Sequence, residues 1–203
     1  MSNSLKVLCG IFIASVIWSA IKPLSGENWL LEMLPVIIAL PLIIYFGNLY
    51  KISQLSYILM LIYLLMLVAQ AHFGVGFVPI GKELAPYFDT DRNVFDRITH
   101  FFSGLLWFYP LYEIVRQGVS KRAFLDYLIP ATLIMGLGAV YEVAEFLAGK
   151  FLNNERLTFL FIGAQQDPDD TSKDLTMALI GTIVAGIIIF IMKKFQKKKK
   201  AMH

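Results

Sequence analysis

The sequence predicts an all-α polytopic membrane protein of about six transmembrane helices, one membrane domain with both termini cytoplasmic, and three observations carry that reading. Of 203 residues, 57% are hydrophobic and 16% charged, against about 45–50% and about 25% in soluble domains. The mean hydropathy is +0.64. The apolar residues gather into runs long enough to cross a bilayer, and lysines and arginines favour one end of those runs. Such a composition excludes a disordered chain and a nucleic-acid partner, because neither is this apolar. Cys9 is the only cysteine, which excludes a disulfide scaffold.

Six spans are expected, at 7–21, 29–49, 52–73, 96–115, 124–147 and 175–192. The first is short for a hydrocarbon core of about 30 Å, which takes about 20 helical residues. Lys6 and Lys22 bracket it, however, and their long stems can snorkel to the two interfaces. A cleaved signal peptide competes for this run; a retained helix is preferred, because no clear small-x-small cleavage site precedes the next span. Almost no apolar stretch precedes Cys9, so a core thiol is a better reading than a lipidated one. Residues 157–164 (LTFLFIGA) are too few to span, and are expected to dip into the interface or to roof a site. In the last span, Ala178, Gly181, Ala185 and Gly186 offer a small-residue face for close helix packing. The lysine-rich segment 193–203 reads as a cytoplasmic tail that touches anionic lipid.

Orientation follows from the connections. The side holding both termini carries eleven Lys and Arg residues and only two acids, Glu113 and Asp126. The other side carries seven basic residues and thirteen acids. The first side is therefore placed inside, and the acids face outward. Topology does not require that acidic asymmetry, since Asp and Glu contribute little to it. Solvated loops explain Glu27, Glu83 and Glu155, but not acids within the ends of apolar helices.

Three segments place ionisable groups at one membrane depth. In DRITHF, Asp96 and His100 are four residues apart and share a helix face. In YEVAEF, Glu142 and Glu145 are three apart near the outer end of the fifth span. In QQDPDDTSKDL, Asp170 and Asp174 lead into the sixth span, with Asp167 one turn earlier. Asp167 before Pro168 suits an N-cap, and Asp96 and Asp174 near helix starts compensate the dipole. The glutamates lie near a helix C-terminus, where a negative charge opposes the dipole, so they need a cation, a proton or a water-filled cavity. Three readings stay open: salt bridges to Arg92, Arg97 and Lys173, a divalent metal held by carboxylates and one imidazole, or a proton relay. The chain holds no Gly-rich phosphate loop, GxSxG elbow, HExxH pair or internal repeat.

The elements RNVFDRITHF, YEVAEF and GAQQDPDDTSKDLTMALIGTIVAG, in that order, resemble the YjdF-like family of bacterial inner-membrane proteins, a domain-of-unknown-function group. That family shows Tyr-Asp-Arg-x-x-His-Phe, then Tyr-Glu-x-x-Glu-Trp, then a Gly-Thr-Gln-Gly-Asp-x-Trp-Asp-Thr-x-x-Asp-Met element before a Gly-containing last helix. The resemblance implies a polar set of Asp96, Arg97, His100, Tyr141, Glu142, Glu145, Gly163, Gln165, Asp167, Asp170, Thr171, Asp174 and Gly181. Phe95, Phe146, Gln166 and Asp169 depart from the family pattern, and His72 in AHFGVGF matches it only loosely. The chain is more distantly similar to VanZ-like proteins, a likeness that implies an envelope role.

The site expected from these readings sits at the outer membrane interface. Glu142, Glu145 and His100 are its candidate acid–base groups, and Asp96, His100, Glu142, Asp170 and Asp174 its candidate metal ligands. Arg97, Tyr141, Gln165 and Asp167 are further polar candidates. A Mg²⁺, Mn²⁺ or Zn²⁺ ion would polarise a phosphoryl or carbonyl group of an envelope lipid or lipid-linked headgroup, with a glutamate accepting a proton. The alternatives are ion- or proton-coupled translocation, for which a homodimer would have to replace the missing inverted repeats, and an assembly factor whose charges form a structural network.

Overall fold

The computed structural model describes residues 3–119, 122–152, 154–162 and 167–201, and those residues form helices and turns without a strand. The helices are α1 (Asn3–Ala20), α2 (Gly26–Tyr50), α3 (Gln54–Phe73), α4 (Pro79–Leu84), α5 (Phe95–Ile114), α6 (Leu125–Phe151), α7 (Glu155–Ile162) and α8 (Asp170–Ala201). Five of them, α1, α2, α3, α6 and α8, are long and apolar enough to cross a membrane. The other expected span is α5, which has 20 residues but carries Asp96, Arg97 and Glu113. It lies innermost, packed against α8, α3 and α6, so its charges meet protein rather than lipid.

Local chemistry sets the helix ends. Ser25 caps α2 by accepting from the Asn28 N–H at 3.3 Å, and Ser53 caps α3 by accepting from the Ser56 N–H at 3.3 Å. Lys51 between them takes a left-handed conformation, φ 45°. Gly74 stops α3 at φ 78°, a region that disfavours side chains. Glu113, at the end of α5, accepts from the Ser53 N–H at 2.9 Å and the Ser56 hydroxyl at 2.6 Å, placing an anion at the start of α3.

The outer surface is apolar, with Ile11, Ile37, Leu137 and Ile187 among its exposed residues. Cys9 is on that surface too, which corrects its expected core position: α1 turns this face of its helix away from α3. Inside, one apolar cluster joins α2 to α3 through Met33, Val36, Leu64 and Val68. A second joins α5, α6 and α8 through Phe108, Ile134, Ala185 and Ile189. The α5–α8 contact is the closest in the bundle. Gly104 of α5 lies against the Ala178 carbonyl and the Thr182 backbone, and Gly181 of α8 against the Phe101 carbonyl. Neither position has room for a Cβ, and Ala178 is 0% exposed. The expected small-residue face is therefore used, and Gly104 supplies its counterpart.

Two boundaries differ from expectation. α6 continues to Phe151, so Glu142 and Glu145 stand more than a turn inside the helix. The argument that they oppose the dipole weakens accordingly, because that effect fades beyond the last turn. α8 begins at Asp170, which puts Asp170 and Asp174 on the helix itself. The segment expected to roof the site is represented by α7, which packs against α6, α2 and the Val75–Phe77 turn and buries Leu157, Leu160 and Phe161.

Candidate functional site

The end of the bundle that receives the C-terminus of α3 and the starts of α2, α5 and α8 collects the polar residues of five helices. Its upper layer consists of ion pairs. Arg92, just before α5, reaches Asp170 at 2.5 Å and Asp167 at 3.2 Å. Arg97 reaches Asp170 at 2.7 Å, Asp167 at 3.1 Å and also the Asp174 carboxylate. Lys173 donates to both Asp167 oxygens, at 2.8 and 2.9 Å. The Lys173 ammonium, together with the Asp169 backbone N–H, lowers the Asp167 carboxyl from 3.8 to about 2. Asp167 thus has a capping role, as expected, although the helix starts at Asp170 after an Asp167–Asp169 turn.

Beneath this layer the side chains are buried. Asp96 and His100, one turn apart on α5, face each other at 3.7 Å, and His100 Nε2 stands 3.2 Å from Glu142 Oε1 on α6. Asp174 of α8 completes a triad in which one ligand atom each of Asp96, His100 and Asp174 lie within 4.8 Å of one another. Glu145 is buried too, within electrostatic reach of Asp96, Glu142 and Asp174. Asp174 Oδ1 and Glu145 Oε1 have no hydrogen-bond partner among the described residues, and Asp96 Oδ2 has only the Arg92 guanidinium at 3.8 Å. Buried oxygens of this kind are costly unless a cation or a proton meets them.

A deeper layer was not singled out from the sequence. Glu32 of α2, 1% exposed, accepts from Gln70 Nε2 of α3 at 2.8 Å, and the Tyr141 hydroxyl of α6 is 3.5 Å from the same amide nitrogen. The signal was present: Glu32 is an acid within a predicted apolar span, and ionisable residues there are rare without a role.

The site residues expected from the sequence therefore divide into three groups. Asp96, His100, Glu142, Glu145 and Asp174 share one buried centre. Asp170, Arg97 and Asp167 belong to the ion-pair layer above it, while Tyr141 links the centre to Glu32 and Gln70. Gln165 lies outside the described residues. His72 is elsewhere, its Nδ1 3.0 Å from the Ser19 carbonyl and its ring against Trp18, tying α3 to α1.

A family model described as "Predicted membrane protein (DUF2238)" matches residues 4–195. The inner membrane protein YjdF of Escherichia coli (strain K12) is 28% identical over 176 residues, covering 86% of this chain and 83% of that protein. No solved structure matches. Kinship to an inner-membrane protein and five apolar helices make this a multi-pass protein of the bacterial inner membrane. With nearly its whole length matched, the chain belongs to the DUF2238 family of membrane proteins.

Proposed function

We propose that Asp96, His100 and Asp174 hold a divalent cation, and that this centre binds and acts on the phosphorylated headgroup of an envelope lipid at the outer interface. The observation that carries the reading is the triad itself: three donor atoms within 4.8 Å of one another, from residues that are all buried. Ligands across a cation, each at about 2.0–2.6 Å, stand up to about 5 Å apart. Asp174 Oδ1, which has no hydrogen-bond partner among the described residues, adds capacity that an ion would use. Carboxylates and one imidazole suit Mg²⁺, Mn²⁺ or Zn²⁺.

Headgroup depth is supported by the aromatic residues around this end. Tyr87 (83% exposed), Phe88, Phe77 and Phe159 project from the segments that follow α3 and α6, in the manner of an interfacial belt. The outward orientation rests on the distribution of lysine and arginine. A cation there would polarise a phosphoryl group, and Glu142, beside His100, would take a proton from the attacking water and return it to the alcohol oxygen whose bond to phosphorus breaks.

The test is cation binding by the full chain in nanodiscs, stripped with chelator and titrated with Mn²⁺, Mg²⁺ and Zn²⁺ by calorimetry. One ion should bind the wild type, and Asp174→Asn and Asp96→Asn should each weaken it at least about tenfold. The arginine layer favours a second reading, an assembly factor whose charges lock α5 to α8. Absence of any cation binding by the folded wild type would select it.

A further inference from the structure

Glu32 takes no part in the triad, yet it is among the most enclosed ionisable groups of the protein, at 1% exposure. Its Oε2 accepts from Gln70, while its Oε1 has no hydrogen-bond partner among the described residues. Gln70, 2% exposed, likewise leaves its own Oε1 without a donor. A proton on Glu32 removes its uncompensated charge and turns one of these two surplus acceptors into a donor.

The surroundings exclude a salt bridge. Around Glu32 are Gln70 from α3, Asp96 from α5, and Tyr141 and Glu145 from α6. Arg156 of α7 faces Ser25 and Glu27 at the mouth instead. No cation forms an ion pair with Glu32 among the described residues, and the charged groups that act on it, Asp96 and Glu145, are acids. A bare carboxylate in that position would face like charges in a low dielectric, without the several ligands that a metal ion requires.

We infer that Glu32 is a proton-binding site, held by Gln70 and Tyr141 beside the Asp96–His100–Asp174 centre, and that a dication entering the centre expels this proton. The second half rests on the function proposed above; the first does not. A positive charge in the centre favours the carboxylate form of every neighbouring acid, so the proton leaves Glu32 as the ion arrives. Cation uptake is thereby opposed by acid, and the outside proton concentration gains a hold on the site.

Infrared spectroscopy of the full chain in nanodiscs, stripped of cations with chelator and carrying ¹³C-labelled glutamate, reads the carbonyl stretch of a protonated carboxyl directly. At neutral pH the difference between wild type and Glu32→Gln should contain such a band, and Gln70→Leu should shift it by removing its hydrogen-bond partner. A null difference spectrum overturns the assignment, as does a band abolished by Na⁺ at constant pH. Should Glu32→Gln fail to accumulate, an unshifted wild-type glutamic acid band in Gln70→Leu overturns it equally. In the second arm, Mn²⁺ is added to weakly buffered protein with an indicator dye, and Glu32→Gln should release about one proton fewer per bound ion. Equal release from both proteins ends the coupling while leaving the proton site intact. A wild type that binds no Mn²⁺ refutes the proposed function and the coupling, and the infrared result stands apart.

Discussion

His100 Nε2 of α5 stands 3.2 Å from Glu142 Oε1 of α6, and both side chains are buried. If Glu142 is the proton acceptor of the function proposed above, it is separable from the fold. Glu142→Gln keeps its shape and should leave membrane accumulation and Tm near the wild-type values, while abolishing turnover of the headgroup. If the pair exists to hold α5 against α6, breaking it costs about 3–5 kcal/mol and the variant melts early. Thermal melts in nanodiscs decide between these outcomes.

The α5–α8 contact should be intolerant of any side chain. Gly104→Ala and Gly181→Ala each drive a methyl group into the carbonyl of the opposite helix. Since backbone cannot turn aside as a flexible side chain does, each should cost at least about 1–3 kcal/mol. Gly136→Ala, in α6 with open space before it, should change little. Equal melting temperatures for all three variants would mean that the helices are not in contact at these glycines.

Asp167 makes a pH-dependent contribution of known sign. Its folded carboxyl is lowered from 3.8 to about 2 by Lys173, so its stabilisation is complete above the ordinary value and is lost as pH falls through about 2. The Tm difference between wild type and Asp167→Asn should therefore be constant at higher pH and close up as pH falls from about 4 to 2. A difference that persists unchanged to the bottom of that range would contradict the pairing with Lys173.

Orientation can be read by cysteine labelling in a Cys9→Ser background, which removes the exposed native thiol. A membrane-impermeant maleimide added to intact spheroplasts should modify Tyr87→Cys, next to the candidate site, and spare Lys51→Cys at the opposite end. The reverse pattern would turn the acidic end toward the cytoplasm and remove the envelope lipid as its ligand.

Much of this arrangement was legible in the chain because membrane helices announce themselves by length and apolarity, and because Asp96 and His100, or Glu142 and Glu145, keep their spacing on a helix face. Asp174 could be joined to them through the family resemblance and the cost of isolated charge in lipid. Arg92 and Arg97 were less legible. Local spacing makes them neighbours of Asp96, whereas the structure spends them mainly on Asp167 and Asp170, across a contact that depends on how α8 docks. Glu32 and Gln70 were missed because their partner is a different helix, and no periodicity within α2 or α3 reveals it. Gly104 escaped for the same reason: a single glycine in a helix acquires meaning only from the backbone opposite.

With α5 and α8 touching backbone to backbone at Gly104 and Gly181, neither helix can roll or slide without collision. Asp96, His100 and Asp174 therefore ride on one rigid jaw. α6 is held to this jaw by softer side chains such as Tyr127 and Ile134, and brings Glu142 to it from the side. If the ligand of the function proposed above enters between this jaw and α6, a crosslink between α5 and α8 should be harmless where one between α5 and α6 blocks binding.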